Sequence, residues 1–148
     1  MKSGADGDAP AAIALAYLAA LGGSDPAEVT LLVADGFRNE HTAELGARCV
    51  GRDEYSRRLP DFFAMFPNRR YDVEETAVGS LVDPARAGGA TTTEVVVRYR
   101  FGADVDGTRI DIPGVMWISV DADGLITRRL DCWDSLTYHR QTGTPADI

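Results

Sequence analysis

The fold is decided by the stretch DGLITRRLDCWD, which runs from Asp123 to Asp134. Its first two residues are a tight-turn signal, and Leu125–Trp133 has the β-branched and aromatic content of a strand. Because side chains alternate across a strand, Arg129, Asp131 and Trp133 share one of its faces. A guanidinium, a carboxylate and an indole are therefore expected on the same side of a sheet.

Three further stretches upstream have strand character, namely Arg70–Val78, Thr92–Phe101 and Arg109–Val120. Asp106-Gly107 is a second tight-turn signal, so the last three strands are predicted to form an antiparallel meander. The connection Ser80–Ala90 contains Asp83-Pro84 and Gly88-Gly89, which is typical of a flexible loop.

Helical patterns fill the N-terminal half of the chain. One helix is predicted from Pro10 to Leu21, and a second begins after Asp25, with Pro26 in its first turn. A short strand, Phe37–His41, precedes a third helix from about Arg52 to Met65, which Pro60 is expected to bend or split.

These elements predict three segments. Residues 1–9 are expected to be a disordered tail, 10–142 a single domain and 143–148 a C-terminal tail. The stretch after Ser135 is expected to be too short for another element. Helices followed by a meander indicate an α+β fold in which the antiparallel sheet curls around the helices and encloses an apolar pocket. The alternative is a flat two-layer sandwich, which leaves no cavity.

Composition excludes several function classes. The 148 residues are 45% hydrophobic with a formal net charge of −8, so nucleic acid and anionic membranes would be repelled. The apolar stretch Ala11–Leu21 is too short to span a bilayer, and Asp6 and Asp8 precede it where a signal peptide carries basic residues, which favours a cytoplasmic protein. Without a P-loop, a dinucleotide fingerprint or a metal-ligand cluster, the chain is expected to use no cofactor and no metal.

The C-terminal stretch resembles the last strand of SnoaL-like polyketide cyclases and limonene-1,2-epoxide hydrolases, families of the nuclear transport factor 2-like superfamily. Asn39-Glu40-His41 and Gly51-Arg52-Asp53 agree with that resemblance, which covers roughly residues 10–142. It implies a cone-shaped fold. It also implies a homodimer through the convex sheet face, where Tyr99, Ile118 and Val120 are expected to supply apolar surface.

The resemblance also implies roles for single residues. Asp131 lies where both families keep an acid/base aspartate, and Asn39 and His41 lie where the epoxide hydrolases hold the attacking water. Arg98 matches an arginine that bridges two carboxylates in the epoxide hydrolases, and so would tune the pKa of Asp131. This chain departs from the hydrolase pattern at Arg100, which stands where the hydrolases keep their acid aspartate.

Comparison with ketosteroid isomerases places Tyr17 near their oxyanion tyrosine, His41 near their general base and Val115 at their acid position. The substrate-binding wall is expected to comprise Tyr17, Phe62, Phe66, Val115, Trp117 and Trp133. If Val95, Val97, Tyr99 and Phe101 face the pocket, Arg98 and Arg100 face outward and leave the site. A purely structural ion pair between Asp131 and an arginine is the alternative to catalysis.

The function expected from these residues is a cofactor-free acid/base enzyme acting on a small hydrophobic molecule by cyclisation, isomerisation or dehydration. Water addition, as in the epoxide hydrolases, is one alternative. A non-catalytic binding or dimerisation module is the other, since the second carboxylate of the related enzymes is absent.

Overall fold

The computed structural model describes residues 5–44, 46–81 and 92–143. Its helices are α1 (Ala5–Leu21), α2 (Pro26–Thr30), α3 (Arg52–Met65) and α4 (Ser135–Thr142). Its strands are β1 (Val33–His41), β2 (Cys49–Val50), β3 (Arg70–Ser80), β4 (Thr93–Val105), β5 (Thr108–Val120) and β6 (Ile126–Trp133). The predicted Ser80–Ala90 connection lies largely outside the described residues.

One curved, open sheet of six strands carries the fold, in the order β2-β1-β6-β5-β4-β3. The meander β4-β5-β6 is antiparallel, as the turn signals predict. The sheet is nevertheless mixed, because β1 runs parallel to β6 and brings the first strand beside the last. α1 and α3 cover the concave face, and the α+β expectation is confirmed.

The alternation of side chains along the strands places the core on the concave face. Val95, Val97 and Tyr99 of β4 are buried there with Met116 and Ile118 of β5. The expectation that Tyr99, Ile118 and Val120 lie on the outer face is therefore wrong, since all three belong to the main core cluster. A smaller cluster of Ala103, Ile110 and Ile112 lies where β4 and β5 extend beyond the end of β6.

Local signals account for most element boundaries. Asp25 caps α2 by accepting a hydrogen bond from the Ala27 amide, as expected. Gly51, at φ 98°, precedes α3 in a conformation that favours glycine. Pro60 lies within a continuous α3 and does not split it. No helix in residues 5–44, 46–81 and 92–143 is long and apolar enough to cross a bilayer.

Two boundaries differ from the sequence prediction. α1 begins at Ala5, inside the segment expected to be disordered. α4 occupies the stretch after Ser135, where no element is expected, and Asp134 caps it by accepting from the Thr137 amide and hydroxyl. Helical structure thus extends further toward both ends of the chain than predicted.

Candidate functional site

A buried ion pair lies on the concave face of β6. Arg129 and Asp131 are 6% and 4% exposed. Arg129 Nη2 donates to Asp131 Oδ2 at 2.8 Å. The pairing follows from sequence, because residues two apart on a strand lie on the same face. A buried carboxylate needs such compensation, since desolvation strongly disfavours its charge.

The other carboxylate oxygen accepts from a tyrosine two strands away. The Tyr99 hydroxyl donates to Asp131 Oδ1 at 2.5 Å. Tyr99 on β4 is paired with Gly114 on β5, and a Cβ at position 114 would lie 2.5 Å from Tyr99 Cζ and overlap its hydroxyl. The missing side chain of Gly114 is therefore what lets the phenol cross β5 and reach Asp131.

Arg129 extends the network to the first strand. Its Nη1 donates to Asn39 Oδ1 at 2.8 Å, and its Nε lies 3.4 Å from Met116 Sδ. Asn39 stands directly beside Arg129 in the parallel β1–β6 pair. The amide of Asn39 in turn donates to the Ala47 carbonyl at 3.4 Å, so both of its polar atoms are occupied.

Two helical tyrosines lie close to the Arg129 charge. The hydroxyls of Tyr17 on α1 and Tyr55 on α3 share a hydrogen bond and are fully enclosed. Burial raises the pKa of both phenols. Burial, and the nearby Asp131 charge, also raise the pKa of Tyr99. These phenols therefore stay neutral and act as hydrogen-bond donors at physiological pH.

Opposing influences set the proton affinity of Asp131. Burial raises the pKa of its carboxyl group, while the Arg129 charge and the Tyr99 hydrogen bond act in the other direction. The net shift is upward. A carboxyl group poised in this way can accept or release a proton nearer to neutral pH than an exposed aspartate.

His41 lies at the edge of this network. Its Nδ1 accepts from the Trp133 indole N–H at 3.3 Å. Burial, with the charges of Arg129 and Arg48, lowers the pKa of His41 to about 3. The imidazole is therefore neutral at physiological pH and too weak a base to hold a proton there. Its suitable role is that of a hydrogen-bonding group.

An aromatic wall, defined here as Phe62, Phe66, Tyr71 and Phe101, leads from the surface toward Asp131. Phe66 and Tyr71 lie 5.5 and 4.9 Å from Phe101 between ring centroids, and Tyr71 lies 5.3 Å from Tyr99. All four rings of the wall are half-buried. Tyr138 of α4 packs against both Phe66 and Trp133, at 6.3 and 5.7 Å.

Three expected site residues lie on the opposite face of the sheet. Arg98 pairs with Glu74 and Glu75 at 3.4 and 2.9 Å and does not contact Asp131. Val115, 37% exposed, and Trp117 point outward because their neighbours Met116 and Ile118 are buried. Alternation along β4 and β5 thus corrects the assignment, and Arg129 is the arginine that pairs with Asp131.

The residues missed by sequence reasoning are Tyr99, Tyr55 and Arg129 as the direct partner of Asp131. The R-x-D spacing on one strand was the available signal for Arg129. Tyr99 depends on the gap at Gly114, which lies on another strand. No three His, Cys, Asp or Glu side chains of the described residues lie close enough together to hold a metal ion.

Two surface cavities of about 660 and 380 Å³ flank β6. The larger lies at the β2-β1-β6 edge and includes Arg38, Glu40 and Arg128. The smaller lies on the outer face around Val115 and Cys132. An apolar pocket on the concave face, beside Asp131, stays a prediction.

Solved structures of similar fold come from bacteria and fungi. A hypothetical protein with a ketosteroid isomerase-like fold from Catenulispora acidiphila, in complex with trimethylamine, is 21% identical, with a TM-score of 0.71 over 92% of this chain and 95% of its own. PrhC from Penicillium brasilianum is 12% identical, with a TM-score of 0.71 over 93% and 87% of the two chains.

An LEH-like epoxide hydrolase from M. tuberculosis is 18% identical, with a TM-score of 0.66 over 93% of this chain and 91% of its own. No curated protein matches the chain significantly. The model of the SnoaL-like domain family matches residues 14–129, which is well over half of the chain and stops two residues before Asp131. The chain therefore belongs to the SnoaL-like domain family.

Proposed function

We propose that the protein is a cofactor-free acid/base enzyme acting on a small hydrophobic molecule that carries a carbonyl group. The observation that carries this proposal is the Asp131 carboxylate, buried on the concave face and hydrogen-bonded by the Tyr99 phenol. The related enzyme families, whose members include cyclases and isomerases, supply the reaction class.

In this proposal Asp131 takes a proton from the carbon next to the carbonyl group. The electron pair of the broken C–H bond moves onto the carbonyl oxygen, which accepts a hydrogen bond from a neutral tyrosine hydroxyl. Where a C=C bond lies next to the deprotonated carbon, Asp131 then returns its proton to the far end of that bond and the carbonyl group re-forms, which completes an isomerisation. The Arg129 charge favours the ionised carboxylate between turnovers, and the aromatic wall provides the apolar binding surface.

A non-catalytic binding module is the second candidate, and one observation favours it. Both oxygens of Asp131 already have partners within the protein, and the described cavities flank β6 instead of lying over Asp131. Water addition to an epoxide fits less well, because Arg129 and the Ala47 carbonyl occupy the polar atoms of Asn39 that would hold the water.

Exchange of carbon-bound protons tests the proposal directly. The probe is β-tetralone, a small apolar ketone, in D₂O, with deuterium incorporation followed by NMR. Asp131→Asn should lower the exchange rate by roughly 10²–10⁴-fold, the usual size of an acid/base contribution. Tyr99→Phe should also lower the rate, while Arg98→Gln, on the outer face, is the control and should not.

The Asp131→Asn variant leaves the Arg129 charge buried without a partner, which should lower the free energy of unfolding by roughly 3–5 kcal/mol. A second variant is therefore needed to separate loss of activity from loss of stability. The double variant Asp131→Asn/Arg129→Met removes both charges and preserves most of the packing. Exchange that persists in this folded double variant would overturn the acid/base role. Binding of the ketone without exchange would support the binding module, and diol formation from styrene oxide would support water addition.

A further inference from the structure

Three arginines line the larger cavity, at the edge of the sheet formed by β2, β1 and β6. Arg38 and Arg128 are direct neighbours in the parallel β1–β6 register and lie on the same outer face. Arg48, just before β2, lines the same cavity of about 660 Å³. Like charges side by side on adjacent strands are destabilising unless something neutralises them.

Among the described residues, Glu40 is the carboxylate that lines this cavity. Glu40 Oε1 lies 3.1 Å from Arg128 Nε and 3.3 Å from Arg38 Nη2, so both arginines share a single oxygen. Three guanidinium groups and one carboxylate leave two positive charges in excess among the lining residues, with His41 neutral. The net charge of the cavity lining is therefore positive, opposite in sign to the formal charge of −8 carried by the whole chain.

We propose that this cavity is a binding site for a small organic anion, held through a carboxylate or phosphate group by Arg38, Arg48 and Arg128. A guanidinium group presents paired N–H donors that match the oxygens of such a group. Glu40 satisfies the site only in part, since its one shared oxygen engages a single atom of each of two arginines. The site is independent of the chemistry proposed at Asp131.

His41 provides a spectroscopic reporter for the site. It lines the same cavity, and its backbone carbonyl accepts from Arg48 Nη2 at 3.1 Å. An anion bound to Arg48 changes the electric field at the imidazole ring. The His41 ring resonances should therefore shift on binding, and His139, which lies on α4, is the second histidine against which they are compared.

Inorganic phosphate and citrate are the two probes, titrated at constant ionic strength with sodium chloride as the balancing salt. We expect saturable binding by calorimetry together with a His41 shift that saturates at the same concentration. Arg38→Gln should weaken binding about tenfold, as expected for the loss of a charge-assisted hydrogen bond. Glu40→Gln should tighten it, because the competing carboxylate is gone.

Arg70→Gln is the matched control, since Arg70 pairs with Asp72 at the opposite edge of the sheet and should leave binding unchanged. Arg38 is half exposed, so its replacement is compatible with folding even if that of Arg128 is not. Non-saturable shifts, or equal weakening by Arg70→Gln, would reduce the effect to charge screening and overturn the proposal. The tighter of the two probes identifies the preferred anionic group.

Discussion

Gly114 has a role that no property of glycine in isolation would predict. The phenol of Tyr99 passes over it to reach Asp131, and a methyl group there would overlap that ring. The Gly114→Ala variant should therefore displace Tyr99 and lower the free energy of unfolding by about 1–3 kcal/mol, the usual range for overpacking. Chemical denaturation measures the loss.

Gly79 on β3 is the matched control, because a Cβ there would meet nothing within 4 Å. Gly79→Ala should leave stability unchanged or raise it slightly. Equal effects of the two substitutions would contradict the crossing of Tyr99 over β5 as the reason for the glycine.

His41 should make the stability of the protein depend on pH. Its pKa is about 3 in the folded chain and about 6.5 when free, so the unfolded chain binds the proton first. The contribution of His41 is complete above pH 6.5 and is lost as the pH falls toward 3. His41→Gln should remove this loss, which would be measured as a smaller fall in melting temperature between pH 7 and pH 4.

His139→Gln is the comparison, and Asp131, whose pKa is raised, is present in every chain and cancels in the difference. A His41→Gln variant that follows the parent curve through this range would show that the imidazole is not shielded as described.

Part of the site could be predicted residue by residue from the alternation of side chains along a strand and from the family resemblance. The alternation places Arg129 beside Asp131, and the resemblance supplies Asn39. The same alternation, applied to β4 and β5, would have excluded Arg98, Val115 and Trp117. Tyr99 lies beyond such reasoning, because its contact with Asp131 depends on a glycine of the intervening strand.

At the scale of elements, the Gln141 side chain joins α4 to β5 through the same backbone groups that a neighbouring strand would use. Gln141 Oε1 accepts from the Asp111 amide at 2.7 Å, and its Nε2 donates to the Asp111 carbonyl at 3.0 Å. This part of β5 extends past the end of β6, so α4 covers backbone groups that β6 leaves unpaired. Gln141→Ala should release them.

The amide of Asp111 should then exchange its hydrogen markedly faster, as measured by NMR hydrogen exchange. Arg140→Ala, an exposed neighbour on the same helix, should leave that amide protected. Unchanged protection in Gln141→Ala would mean that Tyr138 and the Asp134 cap hold α4 without the glutamine.

The helix was missed in sequence because its stability comes from tertiary contacts. None of its eight residues is buried, so it has no apolar stripe of the kind that predicts a helix. The four main strands were predicted to within a few residues, because alternating β-branched residues and tight turns act locally. The parallel pairing of β1 with β6 has no local signal at all.

At the scale of the whole molecule, the homodimer stays a prediction with a changed basis. The outer face presents Val115 and Trp117 near its centre, in place of the buried Tyr99, Ile118 and Val120. If two copies associate there, Val115→Arg should produce monomers in sedimentation at micromolar concentration, because it buries a charge.

Leu31, which is 68% exposed at the end of α2, is the control site for that experiment. Leu31→Arg should leave the dimer intact. A parent protein that sediments as a monomer would refute the prediction outright.

The parallel contact between β1 and β6 also determines when the sheet can be completed during synthesis. Asn39 and Arg129, whose side chains meet, are separated by 90 positions in the chain. During synthesis β1 therefore leaves the ribosome long before its partner, with one edge unpaired and open to strands of other chains. Translation that stalls before β6 would yield a polypeptide prone to aggregation, so the last strand decides both solubility during synthesis and completion of the site.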